Sequence, residues 1–152
     1  MHANARNLSL AFIAATLLAT APAARAADAA GTPQGQSSTK NKLIIQVSDG
    51  DSKKWSLALN NAKNVQQDLG RDQVEIEIVA YGPGLAMLKL DSEAGGRVAE
   101  AIDDGVRLVA CENTMTSQKL TREDMLPRIG YVKAGVVELM QKQQQGYAYI
   151  RP

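Results

Sequence analysis

Two rhythms of apolar and polar residues alternate along this chain. Leu43-Ile44-Ile45-Gln46-Val47 is a short, almost continuous apolar run, the pattern of a strand covered on both faces. Trp55, Leu59, Ala62, Val65 and Leu69 then recur at three- and four-residue steps, which predicts an amphipathic helix closed by Gly70. Val74 to Ala80 returns to a period of two. Its alternating Glu75 and Glu77 predict a wetter face near an edge of the sheet. Tyr81-Gly82-Pro83-Gly84 is a sharp turn into a short apolar piece around Leu85 to Leu88.

The alternation continues to the end of the chain. Ser92 to Asp103 reads as a helix with Val98, Ala101 and Ile102 inward, weakened by Gly95-Gly96 and ended by Gly105. Val106 to Ala110 is a third strand. A short helix near Thr114 to Lys119 follows, then a capping-box pattern at Thr121 to Asp124 and a short strand from Ile129 to Lys133. Gly135 to Gln145 predicts a helix with Val136, Leu139 and Met140 inward and a solvated Gln141-Lys142-Gln143-Gln144-Gln145 face. Tyr147 to Ile150 is the last strand. Strands alternating with helices over short connections mean parallel pairing by right-handed crossovers. The expected fold class is α/β: a three-layer α/β/α sandwich with a mainly parallel, about five-stranded sheet.

Before Lys42 the pattern is of another kind. Arg6, an apolar stretch from Leu8 to Ala19 and the small-x-small Ala24-Arg25-Ala26 form a signal peptide over residues 1–26, cleaved after Ala26. Residues 27–41 read as a flexible leader and residues 42–152 as one domain. The stretch is shorter than the ~20 residues that span a bilayer. The expected destination is therefore periplasmic or secreted, with no membrane insertion after cleavage.

Cleavage changes the chemical inventory. The chain's single histidine, His2, leaves with the signal. Losing Arg6 and Arg25 from 17 basic residues leaves 15 against 16 acidic ones. That balance offers no basic face for nucleic acid. Without histidine there is no Ser-His-Asp triad, no Cys-His pair and no zinc site of cysteine and histidine, so no metal is expected. The G-x-G-x-x-G and P-loop motifs are missing, and no cofactor is expected.

One thiol remains. Cys111 ends the third strand and opens Glu112-Asn113-Thr114, at the mouth of the sheet where α/β proteins bind ligands. As a nucleophile it would sit at a helix start, where free N–H groups favour a thiolate. A helix end contributes ~0.3–1 kcal/mol, less than the ~1.36 kcal/mol that moves a pKa by one unit. Glu112 opposes it. A reactive Cys111 would then need a cation from Lys53, Lys54, Lys119 or Arg122. The competing reading is a thiol packed in the core, common for a free cysteine. Ser48, Asp49, Tyr81, Asn113 and Thr114 lie on the converging loops and are candidate substrate contacts; turn, cap and cover duty is the plainer explanation of each.

Three segments carry a resemblance to a known family. Val109-Ala110-Cys111-Glu112-Asn113-Thr114-Met115, Val132-Lys133-Ala134-Gly135-Val136-Val137-Glu138-Leu139 and the close Gln144-Gln145-Gly146-Tyr147-Ala148-Tyr149-Ile150-Arg151-Pro152 resemble the DsrE/DsrF-like family, over about Lys42 to Pro152. The resemblance implies a three-layer domain of flavodoxin-like architecture, assembled as a homo-oligomer, trimer or hexamer. It also implies a sulfur carrier in which the cysteine after the third strand holds a persulfide and exchanges it with a donor or acceptor protein. Cys111 occupies the matching position. The resulting expectation is an exported protein carrying sulfane sulfur on Cys111, a carrier more than an enzyme. The alternatives are a non-catalytic binding or assembly module with Cys111 structural, and a redox sensor forming an intermolecular disulfide.

Overall fold

Five strands carry the fold in the computed structural model, which describes residues 40–152. They are β1 (Asn41–Val47), β2 (Val74–Ala80), β3 (Arg107–Cys111), β4 (Gly130–Val132) and β5 (Ala148–Ile150). All pair in parallel, in the order β4-β3-β2-β1-β5. Four helices connect them: α1 (Ser52–Leu69), α2 (Gly95–Asp103), α3 (Glu112–Ser117) and α4 (Gly135–Gln144). The chain steps from β1 to β4 in one direction, then returns through α4 to place β5 on the far side of β1. The expected fold class stands. The expected signal peptide, residues 1–26, and all but the end of the leader, residues 27–41, lie outside the described residues. The first strand begins at Asn41, two residues before its expected start at Leu43. No helix among the described residues is long and apolar enough to cross a membrane.

Strand residues alternate between two unequal layers. Leu43, Ile45, Ile76, Ile78, Leu108 and Ala110 face α1, α2 and a 3-10 segment at Gly82–Leu88, forming the larger core. Ile44, Val79 and Val109 face the other way, where Leu139 and Tyr147 complete a much smaller cluster under α4. Continuous apolar β1 is buried on both faces because a layer covers each side of the sheet, as its pattern predicts. Asp51 caps α1 by accepting from the Lys53 amide, and Gly70 closes it at φ 89°.

Several expectations need correction. β2 is the central strand, not one near an edge, and Glu77 on it is 1% exposed. Its charge is tolerated because Lys142 and Arg107 stand 3.2 and 3.4 Å away. Lys142 is accordingly buried, not part of a solvated face. α4 is rotated to present Gly135, Leu139 and Lys142 to the sheet, which leaves Val136 and Met140 exposed, not inward. Leu69 is also exposed. Leu85 and Met125 are core residues, since the segments carrying them fold back over the larger layer. The capping box forms, with Thr121 and Asp124 bonding each other's backbone, but it opens a single 3-10 turn.

Candidate functional site

Cys111 is both the last residue of β3 and the cap residue of α3. Strand alternation turns its side chain to the α4 face, where it is 5% exposed. There the amide of Gly135, the first residue of α4, donates to Sγ at 3.2 Å. The thiol itself faces the Lys133 carbonyl at 4.0 Å. The Asn113 amide donates to that same carbonyl at 3.1 Å, tying the start of α3 to the loop before α4. Two helix starts therefore meet at one sulfur.

Thr114 adds a second connection. Its hydroxyl oxygen accepts the Gly82 amide at 3.0 Å, and Gln118 Nε2 donates to the Gly82 carbonyl at 3.3 Å. Having accepted from Gly82, the Thr114 hydroxyl still has its own proton to turn toward the neighbouring sulfur. Burial pushes the Cys111 thiol up, but the Thr114 hydroxyl and the amides of Gly135, Thr114 and Asn113 outweigh it. The net result lies below the ordinary value of 9.0. Only the Gly135 amide has hydrogen-bond alignment on Sγ; the amides of Asn113 and Thr114 act as oriented dipoles.

No cation accounts for this lowering. Of the four candidate cations, Arg122 is held by Glu112 at 2.8 Å and stacks over Tyr131, and Lys54 donates to the Pro152 carbonyl. None of the four is among the leading influences on the thiol. The lowering comes from several donors acting together.

The other candidates divide. Asn113 and Thr114 are at the sulfur. Tyr81 reaches its surroundings through Gly135, where a Cβ would lie 3.1 Å from the Tyr81 Cβ and 3.2 Å from Val79 Cγ1. Only glycine lets α4 start this close to the sheet. Ser48 and Asp49 are occupied elsewhere. Ser48 Oγ accepts from Gln46, the Asp49 carbonyl accepts the Trp55 indole N–H at 2.6 Å, and its carboxylate stands 3.7 Å from Arg151. Sequence reasoning missed Gly82 and Gly135 as parts of the site. Each is a glycine at the boundary of a turn or helix, a signal that marks punctuation but not a donor.

Beside α4 runs an open groove of about 510 Å³, lined by Gln46, Tyr81, Leu139, Met140 and Tyr149 among others. The Tyr149 hydroxyl donates to Gln46 Oε1 at 2.5 Å across its floor. Among the described residues, no three histidine, cysteine or acidic side chains are grouped to hold a metal ion.

The model of the DsrE/DsrF-like family matches residues 14–152. The chain belongs to that family. MTH1491 of Methanobacterium thermoautotrophicum, described as a protein of unknown function, is 34% identical with a TM-score of 0.71; the match covers 74% of this chain and all of that one. BT1422 of Bacteroides thetaiotaomicron, also described as of unknown function, shares the fold at 15% identity and a TM-score of 0.59, over 74% of this chain and 95% of its own. No curated protein matched. Membership accounts for the five-stranded parallel sheet and links the DsrE/DsrF-like chain to a sulfur-relay-related fold.

Proposed function

We propose that this DsrE/DsrF-like protein carries sulfane sulfur as a persulfide on Cys111, after export to the periplasm or beyond. The observation that supports this most is the meeting of two helix starts and the Thr114 hydroxyl at one thiol whose ionisation they favour. In the loading step the Cys111 thiolate attacks the outer sulfur of a donor persulfide. The new S–S bond forms as the donor's own S–S bond breaks, and the donor leaves as a thiolate. Unloading is the reverse, onto an acceptor thiolate, so no external oxidant or reductant enters. The persulfide is anionic at neutral pH and draws on the same donors as the thiolate. Asn113 and Thr114 are its proposed contacts. The protein is further proposed to work as a homo-oligomer, trimer or hexamer, consistent with the exposed Val136, Val137, Met140 and Tyr149.

Incubation of the full chain with a persulfide donor, followed by intact mass spectrometry, tests the carrier reading. Wild type is expected to gain whole sulfur atoms and Cys111→Ser none. Wild type that stays unloaded while a control carrier loads would rule the reading out. The 5% exposure of Cys111 favours a second reading, a binding or assembly module with a structural thiol. That reading expects Cys111 to react with thiol reagents only after unfolding.

A further inference from the structure

Helix α4 has a slight apolar grip on the sheet. Leu139 is its buried apolar side chain, while Val136, Val137 and Met140 are 57%, 42% and 51% exposed. Polar contacts at its two ends do much of the holding. At the start, the Gly135 amide bonds Cys111 Sγ. Seven residues on, about 10 Å along the axis, Lys142 lies 3.2 Å from the Glu77 carboxylate of β2.

The second contact is electrostatically demanding. Glu77 is 1% exposed and neither of its oxygens has an aligned hydrogen-bond donor, so its charge is offset by proximity to Lys142 and to the half-exposed Arg107. Lys142 is also buried, with Tyr147 Oη at 3.4 Å and Glu138 at 3.9 Å as its further partners. The Tyr147 hydroxyl in turn donates to Glu75. Removing Lys142 leaves the buried Glu77 charge with only the half-exposed Arg107 beside it, and shifting α4 off the sheet is the movement that would bring water to it from the α4 side.

We infer that the Lys142–Glu77 ion pair seats α4, and through it the Gly135 amide, on Cys111. Glu77 and Lys142 are then positioning residues for a thiol two helical turns away. The same displacement that takes the amide away also uncovers the buried sulfur. This inference concerns the thiol's surroundings and does not need sulfur transfer, so it stands or falls separately from the carrier reading.

Alkylation of Cys111 as a function of pH, on the full native chain, separates access from ionisation. Lys142→Met is expected to raise the plateau rate at least threefold and to move the midpoint toward the ordinary 9.0. Amide exchange over Gly135 to Leu139 should quicken with it. Glu77→Gln carries the same expectation if Lys142→Met does not fold. The pair Glu77→Leu with Lys142→Met removes both charges and is expected to restore the wild-type profile. Val98→Ala, a truncation in the opposite layer, controls for lost stability. A single variant with the wild-type profile would overturn the inference. So would one no different from Val98→Ala, or a double variant as disturbed as the single.

Discussion

Gly84→Ala is expected to destabilise the domain by roughly 3 kcal/mol, the upper end of ordinary overpacking. A Cβ at this position would lie 2.4 Å from the Val47 carbonyl oxygen, 2.7 Å from its carbon and 2.9 Å from the Ser48 nitrogen. All three are backbone atoms of the end of β1 and the loop after it, so no side chain can turn aside. Relief requires moving the 3-10 segment that carries the fully buried Leu85, Met87 and Leu88, or moving the strand itself. Urea unfolding should show the midpoint falling by about 1–3 M at the m-values usual for small domains. Gly96→Ala is the contrast. A Cβ there meets nothing within 4 Å, and a helical alanine is worth about 0.5 kcal/mol over glycine. Equal behaviour of the two variants would mean that the close approach at Gly84 does not constrain the fold.

The same pair shows why part of the fold was legible in the sequence and part was not. Gly84 reads as part of a turn and Gly96 as a weak point in a helix, and nothing local to either reveals a carbonyl from a strand 37 residues earlier pressed against one of them. Element type followed from periodicity, because β1 and, at Trp55, Leu59 and Ala62, α1 bury the positions their patterns mark. Glu77 defeated the period-two reading. Alternation reports polarity, not exposure, and the partner that makes a buried carboxylate tolerable lies 65 residues downstream in a run of glutamines. The rotation of α4 was misread for the same reason: a buried lysine takes a place on the helix face where the pattern expects an apolar residue.

At the site, the position of Cys111 at a strand end was legible and its electrostatics were not. A single helix end is too weak to lower a thiol pKa much, and that reasoning stands. What sequence cannot supply is convergence. Gly135 lies 24 residues from Cys111 and Gly82 lies 32 residues from Thr114, and only the parallel sheet brings the starts of α3 and α4 and the turn after β2 to one corner.

Thr114→Val should weaken this convergence without changing its shape. Valine keeps the branched outline and loses the hydroxyl, which now accepts from Gly82 and is free to donate to Sγ. A hydroxyl that donates to a thiolate favours the charged form, so its loss should move the thiol pKa back up toward its ordinary range. The thiolate's ultraviolet absorbance, followed against pH, reads this directly and does not depend on access to a reagent. Thr114→Ser keeps the hydroxyl and should titrate close to wild type. Stability carries the same signature. A thiol whose folded pKa lies below its unfolded one adds stability that is fully present above the unfolded value of about 9 and is lost as pH falls through the lowered value. The margin of wild type over Cys111→Ser should therefore widen as pH rises through that window, and widen less in the Thr114→Val background. If Thr114→Val titrates with wild type, the hydroxyl does not act on the sulfur, and the amides alone hold the thiol below its ordinary range.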